Sequence, residues 1–318
     1  LVKPDVIDEE DHNNIRIAMG VAHSTDKKNL GVTFKETQMA LHLAKVRNDS
    51  NLYEAEADIL DKFNNEMKLE EDVKRGLRRG EFIPYYQLKR DVKTGEVVGC
   101  EALARWISEE KGFVSPGEFI PLAESTGHIL RLDLQIVEKS IAQLKRWIER
   151  KVVNGRFKMS VNLSVRTIEK EDIVGDIEYF LEKYKLDPSY LEIEVTETLF
   201  GGNSAKIKEN LEGLKGLGLS LALDDFSAGH SSAKYLSEFN FDVVKLDRSL
   251  LPEGDEDGPK RDIYKTLVDL TKTLQMTSVG EGVETLYQLE MLKEMGVDEV
   301  QGYYYNKPLS AKGMEKVL

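Results

Sequence analysis

The alternation of apolar and polar positions divides the chain into two parts. In the first 65 or so residues, 15–22 (IRIAMGVA), apolar but for Arg16, read as one buried strand. Residues 33–46 read as one amphipathic helix, with Phe34, Met39, Leu41 and Leu43 supplying its apolar positions. A polar turn cluster follows at 48–51. A second helix is predicted from 53 to about 79, with a polar joint at Asn64-Asn65, crossing into the next domain. One strand and one helix cannot bury a core of independent size. This segment therefore either packs on the main domain or is the tail of a domain whose front half lies elsewhere.

From Glu81 the pattern becomes regular. Strand-like runs fall at 82–88, 97–104, 157–163, 191–196, 219–225, 243–246, 276–281 and 299–305. Helical patterns separate most of them, near 130–150, 173–185, 203–217, 259–275 and 285–295. Eight strands alternating with helices over about 240 residues predict an α/β fold closed as a (β/α)₈ barrel. An open doubly wound sheet is the alternative. The expected division is 1–65 for the small α/β appendage and 66–318 for the barrel.

Polar residues recur where these runs end. They are Glu101, Asn162, Glu194 with Glu197 three further on, the Asp224-Asp225 pair, Lys245, Glu281 and Gln301. Any one of them alone is more often a helix cap or a surface charge. Repetition at seven strand ends argues otherwise. In a parallel barrel all strand C-termini open on one face, where active sites sit. Glu101, Glu194, Asp224, Asp225 and Glu281, five carboxylates gathered there, cannot all stay ionised without a cation among them. Carboxylates with one amide oxygen, and no thiolate or imidazole cluster, suit magnesium, manganese or calcium. Their number allows two ions sharing a bridging Asp. Lys245 would orient or help deprotonate the attacking water, or stabilise charge developing at phosphorus.

Charge changes the picture of the partner. The 318 residues carry 44 basic and 57 acidic side chains, a net −13. That excludes general nucleic-acid binding through a basic surface and docking on anionic lipid. If phosphates are handled, bound metal must attract them. The lone cysteine, Cys100, excludes a disulfide framework and suits a reducing, cytoplasmic compartment. No run approaches the apolar length of a membrane span, and no signal-peptide pattern opens the chain. It starts at Leu1 rather than Met, so it is expected to be part of a longer protein. The histidines carry no chemistry in this reading, and no serine sits in a nucleophile elbow.

The motifs resemble those of EAL domains, the cyclic-di-GMP phosphodiesterase family. They are Glu101-Ala102-Leu103-Ala104-Arg105-Trp106, Ser115-Pro116 through Glu124, Val161-Asn162-Leu163-Ser164, Glu194-Val195-Thr196-Glu197, Leu223-Asp224-Asp225-Phe226, Val244-Lys245-Leu246-Asp247, Glu281-Gly282-Val283-Glu284-Thr285 and Gln301-Gly302-Tyr303. The resemblance implies a modified TIM barrel with an antiparallel first strand, and hydrolysis of cyclic di-GMP to linear pGpG with magnesium or manganese. It implies that Glu101, Asn162, Glu194 and Asp224 hold one ion. Asp224 would bridge to a second, completed by Asp225 and, through water, Glu281. Lys245 would contact the attacking water and Gln301 would fix that region. Gln87, Leu103 and Arg105 would contact the nucleotide. Glu197 would tether the loop after Asp225, and Phe226, Gly229 and Glu284 would support the site. A homodimer is also implied.

Two departures bear on this. Ser227 and His230 replace a Gly and a Tyr of the family's loop, which touches regulation, and Gln87-Leu88-Lys89 replaces Gln-Pro-Ile. The runner-up function is a sensor that binds cyclic di-GMP without cleaving it. A metal-dependent hydrolase of another phosphodiester is a third, weaker reading. The appendage resembles the last strand and helix of a GGDEF, diguanylate-cyclase-like domain through IRIAMGVA and MALHLAKVRNDSN (39–51). There His42 stands for a Tyr, and Arg47-Asn48-Asp49 for Gly-Arg-Asn. No GGDEF signature occurs in the chain.

Overall fold

The computed structural model describes residues 18–23, 30–46, 52–56, 58–201, 204–226, 236, 238–254 and 257–318. The start of the strand expected at 15–22, the turn cluster 48–51 and the positions Ser227, Gly229 and His230 lie outside them. In chain order the strands are β1 (Met19–Val21), β2 (Leu52–Glu54), β3 (Phe82–Asp91), β4 (Val97–Ser108), β5 (Gly112–Val114), β6 (Lys158–Asn162), β7 (Leu191–Thr196), β8 (Ser220–Phe226), β9 (Val243–Leu246), β10 (Thr277–Gly280) and β11 (Glu299–Val300). The α-helices are α1 (Leu30–Val46), α2 (Ile59–Arg79), α3 (Pro116–Thr126), α4 (Ile129–Glu149), α5 (Val165–Ile168), α6 (Ile173–Tyr184), α7 (Ser204–Gly216), α8 (Gly258–Thr273), α9 (Leu286–Met295) and α10 (Ala311–Met314). None is long and apolar enough to cross a membrane among the described residues.

The chain forms two compact units. The smaller takes the described residues up to Glu81 and the excursion Ser108–Ile129. In it β1 and β2 pair in parallel, Met19 opposite Leu52 and Val21 opposite Glu54. Helix α1 crosses this ladder so closely that a Cβ on Gly20 would lie 2.2 Å from the Leu41 nitrogen. Ala40 and Leu43 pack with Ile59 as its core. Phe34, expected on the apolar face, lies off that stripe and is 64% exposed.

The second helix does not start at Tyr53. Residues 52–54 are strand, and the Ala55 N–H continues the ladder by donating to the Val21 carbonyl at 2.7 Å. Pairing with β1 overrides local preference here. Helix α2 then runs unbroken through Asn64-Asn65, which are exposed and cost it only tenths of a kcal/mol. It stops at Gly80, in the left-handed region at φ 73. The periodicity did not reveal α3, because Pro116 and Pro121 read as breakers. Pro116 sits in the first turn, where its missing N–H is harmless, and Pro121 forgoes one ladder bond.

The larger unit comprises Phe82–Ile107 and Leu130–Leu318. Eight strands close in the order β3, β4, β6, β7, β8, β9, β10, β11 and back to β3. All are parallel except β3, which is antiparallel to both β4 and β11. The expected barrel with one reversed strand is thus the observed fold. Apolar faces of the surrounding helices pack outside it. Ile141, Leu144 and Trp147 of α4 are fully buried, each such side chain contributing about 1.5–3 kcal/mol. Tyr86 meets Trp147 edge-on at 4.9 Å, and Phe82 stacks on Trp106 at 5.1 Å.

The last strand is shorter than the apolar run 299–305 suggested. Only Glu299 and Val300 are strand. At Gly302 the chain passes so close to Val283 that a Cβ would lie 2.1 Å from its carbonyl oxygen. The Tyr304 N–H donates to that same carbonyl at 2.9 Å instead of to a strand.

Candidate metal centre

Strand register sets the height of each side chain in the barrel. Gln87 on the reversed β3 is level with Glu101 on β4. Asn162 of β6 pairs with Glu194 of β7, and Thr196 with Asp224 of β8. Lys245 comes from β9. Glu281 immediately follows β10 and Gln301 immediately follows β11. The alternation that points every second residue inward therefore brings these side chains to one mouth.

Lys245 is the hub. Its side chain is 1% exposed, and its Nζ lies 2.9 Å from Glu194 Oε2, Asp224 Oδ1 and Glu281 Oε1 and 3.3 Å from Glu101 Oε2. Gln301 Nε2 donates to Glu101 Oε2 at 2.6 Å and to Gln87 Oε1 at 3.3 Å. Asn162 Nδ2 donates to Glu101 Oε1 at 2.6 Å. Gln301 Oε1 is buried without a hydrogen-bond partner.

The carboxylates form two overlapping triads. Glu101, Glu194 and Asp224 make one, and Asp224, Asp225 and Glu281 the other; within each, ligand oxygens lie within 4.8 Å of one another. Asp224 belongs to both. The Asp pair sits where the β8–β9 register slips between Leu223 and Phe226. Asp225 there has φ 54, and its N–H donates to Asp224 Oδ1 at 2.9 Å. A bulge of this kind turns two consecutive side chains toward one site, which a regular strand cannot do.

Burial and mutual repulsion set the protonation of the cluster. Burial works to raise the Glu101 carboxyl, but Lys245, Gln301 and Asn162 outweigh it and hold it at about 2. Burial, followed by the Glu101 charge, pushes Glu194 well above the usual carboxylate range. Burial raises Glu281 to about 8, against the pull of Lys245. Desolvation at the mouth and the neighbouring Asp224 raise Asp225 to about 6. Lys245 is driven well above an ordinary lysine; burial opposes this, and the surrounding carboxylates outweigh it.

One ammonium cannot neutralise so many acids. All-oxygen donor sets of this kind fit hard divalent cations, and the orphaned Gln301 oxygen and the shared Asp224 fit the same ions. Protons held at Glu194, Glu281 and Asp225 must leave when a cation binds. Divalent-cation affinity is therefore expected to fall as pH drops through about 8 and then about 6, by about tenfold per pH unit for each proton displaced. Calorimetry at pH 8.5 and pH 6 in buffers of differing ionisation enthalpy measures both the affinity and the protons released.

Of the other expected site residues, some line a cavity at this centre and others do not. A cavity of about 300 Å³ is lined by Gln87, Glu101, Leu103, Asp224, Asp225, Lys245, Glu281, Glu284 and Gln301, with Arg248 and Tyr303. Asn162 and Glu194 are not among its lining residues. Arg105 is not among them either; its guanidinium donates to the Ala104 carbonyl at 2.8 Å. Glu284 pairs with Arg248 at 2.9 Å. Gly282 holds φ +68, and a Cβ there would lie 2.5 Å from Arg248 Cγ. Phe226 is buried at the end of β8, and Glu197 opens the short 3₁₀ turn Glu197–Gly201. Asp247 accepts from the Ser249 N–H at 2.9 Å and caps the turn that follows β9.

Sequence reasoning missed a charged layer of Lys89, Ser160 and Glu192, all buried in the barrel. Position parity could have found it. Lys89 is two residues from Gln87, Ser160 two from Asn162 and Glu192 two from Glu194, so each shares its neighbour's inward face.

Comparison with known proteins agrees with this architecture. Signaling protein YkoW of Bacillus subtilis is 29% identical over 311 residues, covering 97% of this chain and 38% of its own length. Cyclic di-GMP phosphodiesterase NbdA of Pseudomonas aeruginosa is 31% identical over 284 residues, 89% of this chain and 36% of its own. The chain thus spans little more than a third of these curated relatives. The solved structure of the PaMucR phosphodiesterase in complex with c-di-GMP superposes with a TM-score of 0.73 at 31% identity, covering 79% of this chain and 100% of that one. Residues 70–308, three-quarters of the sequence, match the EAL domain family, and the chain belongs to it.

Proposed function

We propose that this chain hydrolyses one phosphodiester of cyclic di-GMP, giving linear pGpG. The observation that carries this reading is the pair of carboxylate triads sharing Asp224 around the buried Lys245. Glu101, Asn162, Glu194 and Asp224 would hold one ion, and Asp224, Asp225 and, through water, Glu281 a second. Magnesium or manganese bound there supplies Lewis acidity and an activated water. Lys245, held among these carboxylates, would contact the attacking water and stabilise the charge developing on phosphate. The water oxygen bonds to phosphorus and gives up a proton, the bond to the leaving sugar oxygen breaks, and that oxygen takes up a proton, so that none is gained or lost overall. Gln301 fixes Glu101, while Gln87, Leu103 and Arg105 contact the nucleotide. Glu197, Phe226 and Glu284 would support the loops around the site.

The same reading takes 1–65 as a GGDEF-like remnant with its linker helix and 66–318 as the phosphodiesterase barrel. It takes the active form as a homodimer in the cytoplasm. Incubation with cyclic di-GMP and magnesium or manganese is expected to yield pGpG. A chelator should stop the reaction and added metal restore it. No turnover with either ion in folded, dimeric protein would overturn the proposal, and tight binding without turnover would establish the sensor instead.

A further inference from the structure

Beneath the carboxylate triads lies a charged layer that the proposed chemistry does not use. Lys89 enters it from β3, Ser160 from β6 and Glu192 from β7. Lys89 Nζ donates to Glu192 Oε1 at 2.6 Å, to Ser160 Oγ, and to Glu194 Oε1 at 3.4 Å. Ser160 Oγ donates to the same Glu192 oxygen at 2.7 Å. The Lys89 and Glu192 side chains are each 3% exposed and that of Glu194 0%. Burying such a set costs desolvation that aliphatic side chains of similar volume would avoid, so stability is a poor account of it.

Geometry gives a better one. The two oxygens of Glu194 are engaged by different cations, Oε1 by Lys89 in the layer below and Oε2 by Lys245 at 2.9 Å. The carboxylate therefore cannot swing without breaking one of these bonds. Ser160 and Glu192 in turn seat the Lys89 ammonium.

We propose that Lys89, held by Ser160 and Glu192, is a positioning residue that fixes Glu194 to offer a single oxygen to the divalent cation. The inference rests on the metal-centre reading above. Lys89 touches neither substrate nor water in this role. It acts as the partner of a ligand, a class whose loss weakens metal binding or activity about 10–100-fold.

The test is the double variant Lys89→Met/Glu192→Gln, which removes a cation and an anion together and leaves the interior charge unchanged. Metal-free protein is titrated with Mn²⁺ by calorimetry, alongside circular dichroism. Affinity is expected to fall about 10–100-fold. At saturating Mn²⁺, KM for cyclic di-GMP should stay at the parent value while kcat falls. A merely structural role would lower melting temperature and leave Mn²⁺ affinity of the folded protein alone. Parent-like affinity in a folded double variant overturns the proposal. If that variant does not fold, Ser160→Ala, which deletes one hydroxyl, becomes the deciding variant: weaker Mn²⁺ binding supports the proposal and parent-like binding overturns it. A parent chain that binds no Mn²⁺ overturns the metal-centre reading itself, an outcome distinct from the others.

Discussion

Asp224→Asn is expected to lower kcat for cyclic di-GMP at least about 10³-fold, a loss of roughly 4 kcal/mol of transition-state stabilisation. Asp224 is the one carboxylate common to both triads. The substitution keeps its shape and a carbonyl oxygen to accept from the Asp225 N–H, so the bulge should survive. What is lost is the charge that lets two ions share one ligand. Mn²⁺ titration should therefore show both equivalents weakened, whereas Asp225→Asn should weaken one. A variant that keeps both ions and turns over within tenfold of the parent would remove Asp224 from the bridging role.

Lys245→Met should reduce kcat about 10²–10³-fold, the usual cost of deleting one preorganised donor at a developing charge. Its second effect concerns the fold. Without the ammonium, Glu101, Glu194, Asp224 and Glu281 lose their common partner. Breaking a buried ionic set by removing one partner costs about 3–5 kcal/mol, roughly 10 °C of melting temperature in a domain of this size. That deficit should shrink when Mn²⁺ is added, because the ion replaces the missing positive charge. Thermal melts of parent and variant, each with chelator and with Mn²⁺, give the four numbers required. An equal deficit in both conditions would show that Lys245 and the ions do not serve the same carboxylates.

The barrel was legible because its strands alternate with helices and seven of the eight runs end in chemistry. Glu101, Glu194, Asp224, Lys245, Glu281 and Gln301 could be assigned to one mouth from position alone. The elements that escaped did so for local reasons. Tyr53 belongs to a two-stranded ladder whose partner, Met19–Val21, is more than 30 residues away, a pairing that no short window reveals. The prolines of α3 masked a helix. Tyr303–Tyr305 have strand composition, yet their backbone turns away against Val283. The layer of Lys89, Ser160 and Glu192 was visible only to an argument that follows side-chain parity across three strands. An isolated charge in an apolar run reads as an edge or an end, and not as the floor of a site.

The left-handed backbone of Asp225 governs which changes the site can survive. Glycine, asparagine and aspartate hold φ near +54° at the least cost. A single base change converts an aspartate codon into one for asparagine or glycine. Position 225 can therefore shed its carboxylate while the bulge stays intact. At Glu194, locked between two ammonium groups, the same loss would strand buried charge. A lineage drifting from hydrolysis toward ligand sensing would find an easy first step at Asp225, and random variants at this position should show neutral folding and lost turnover.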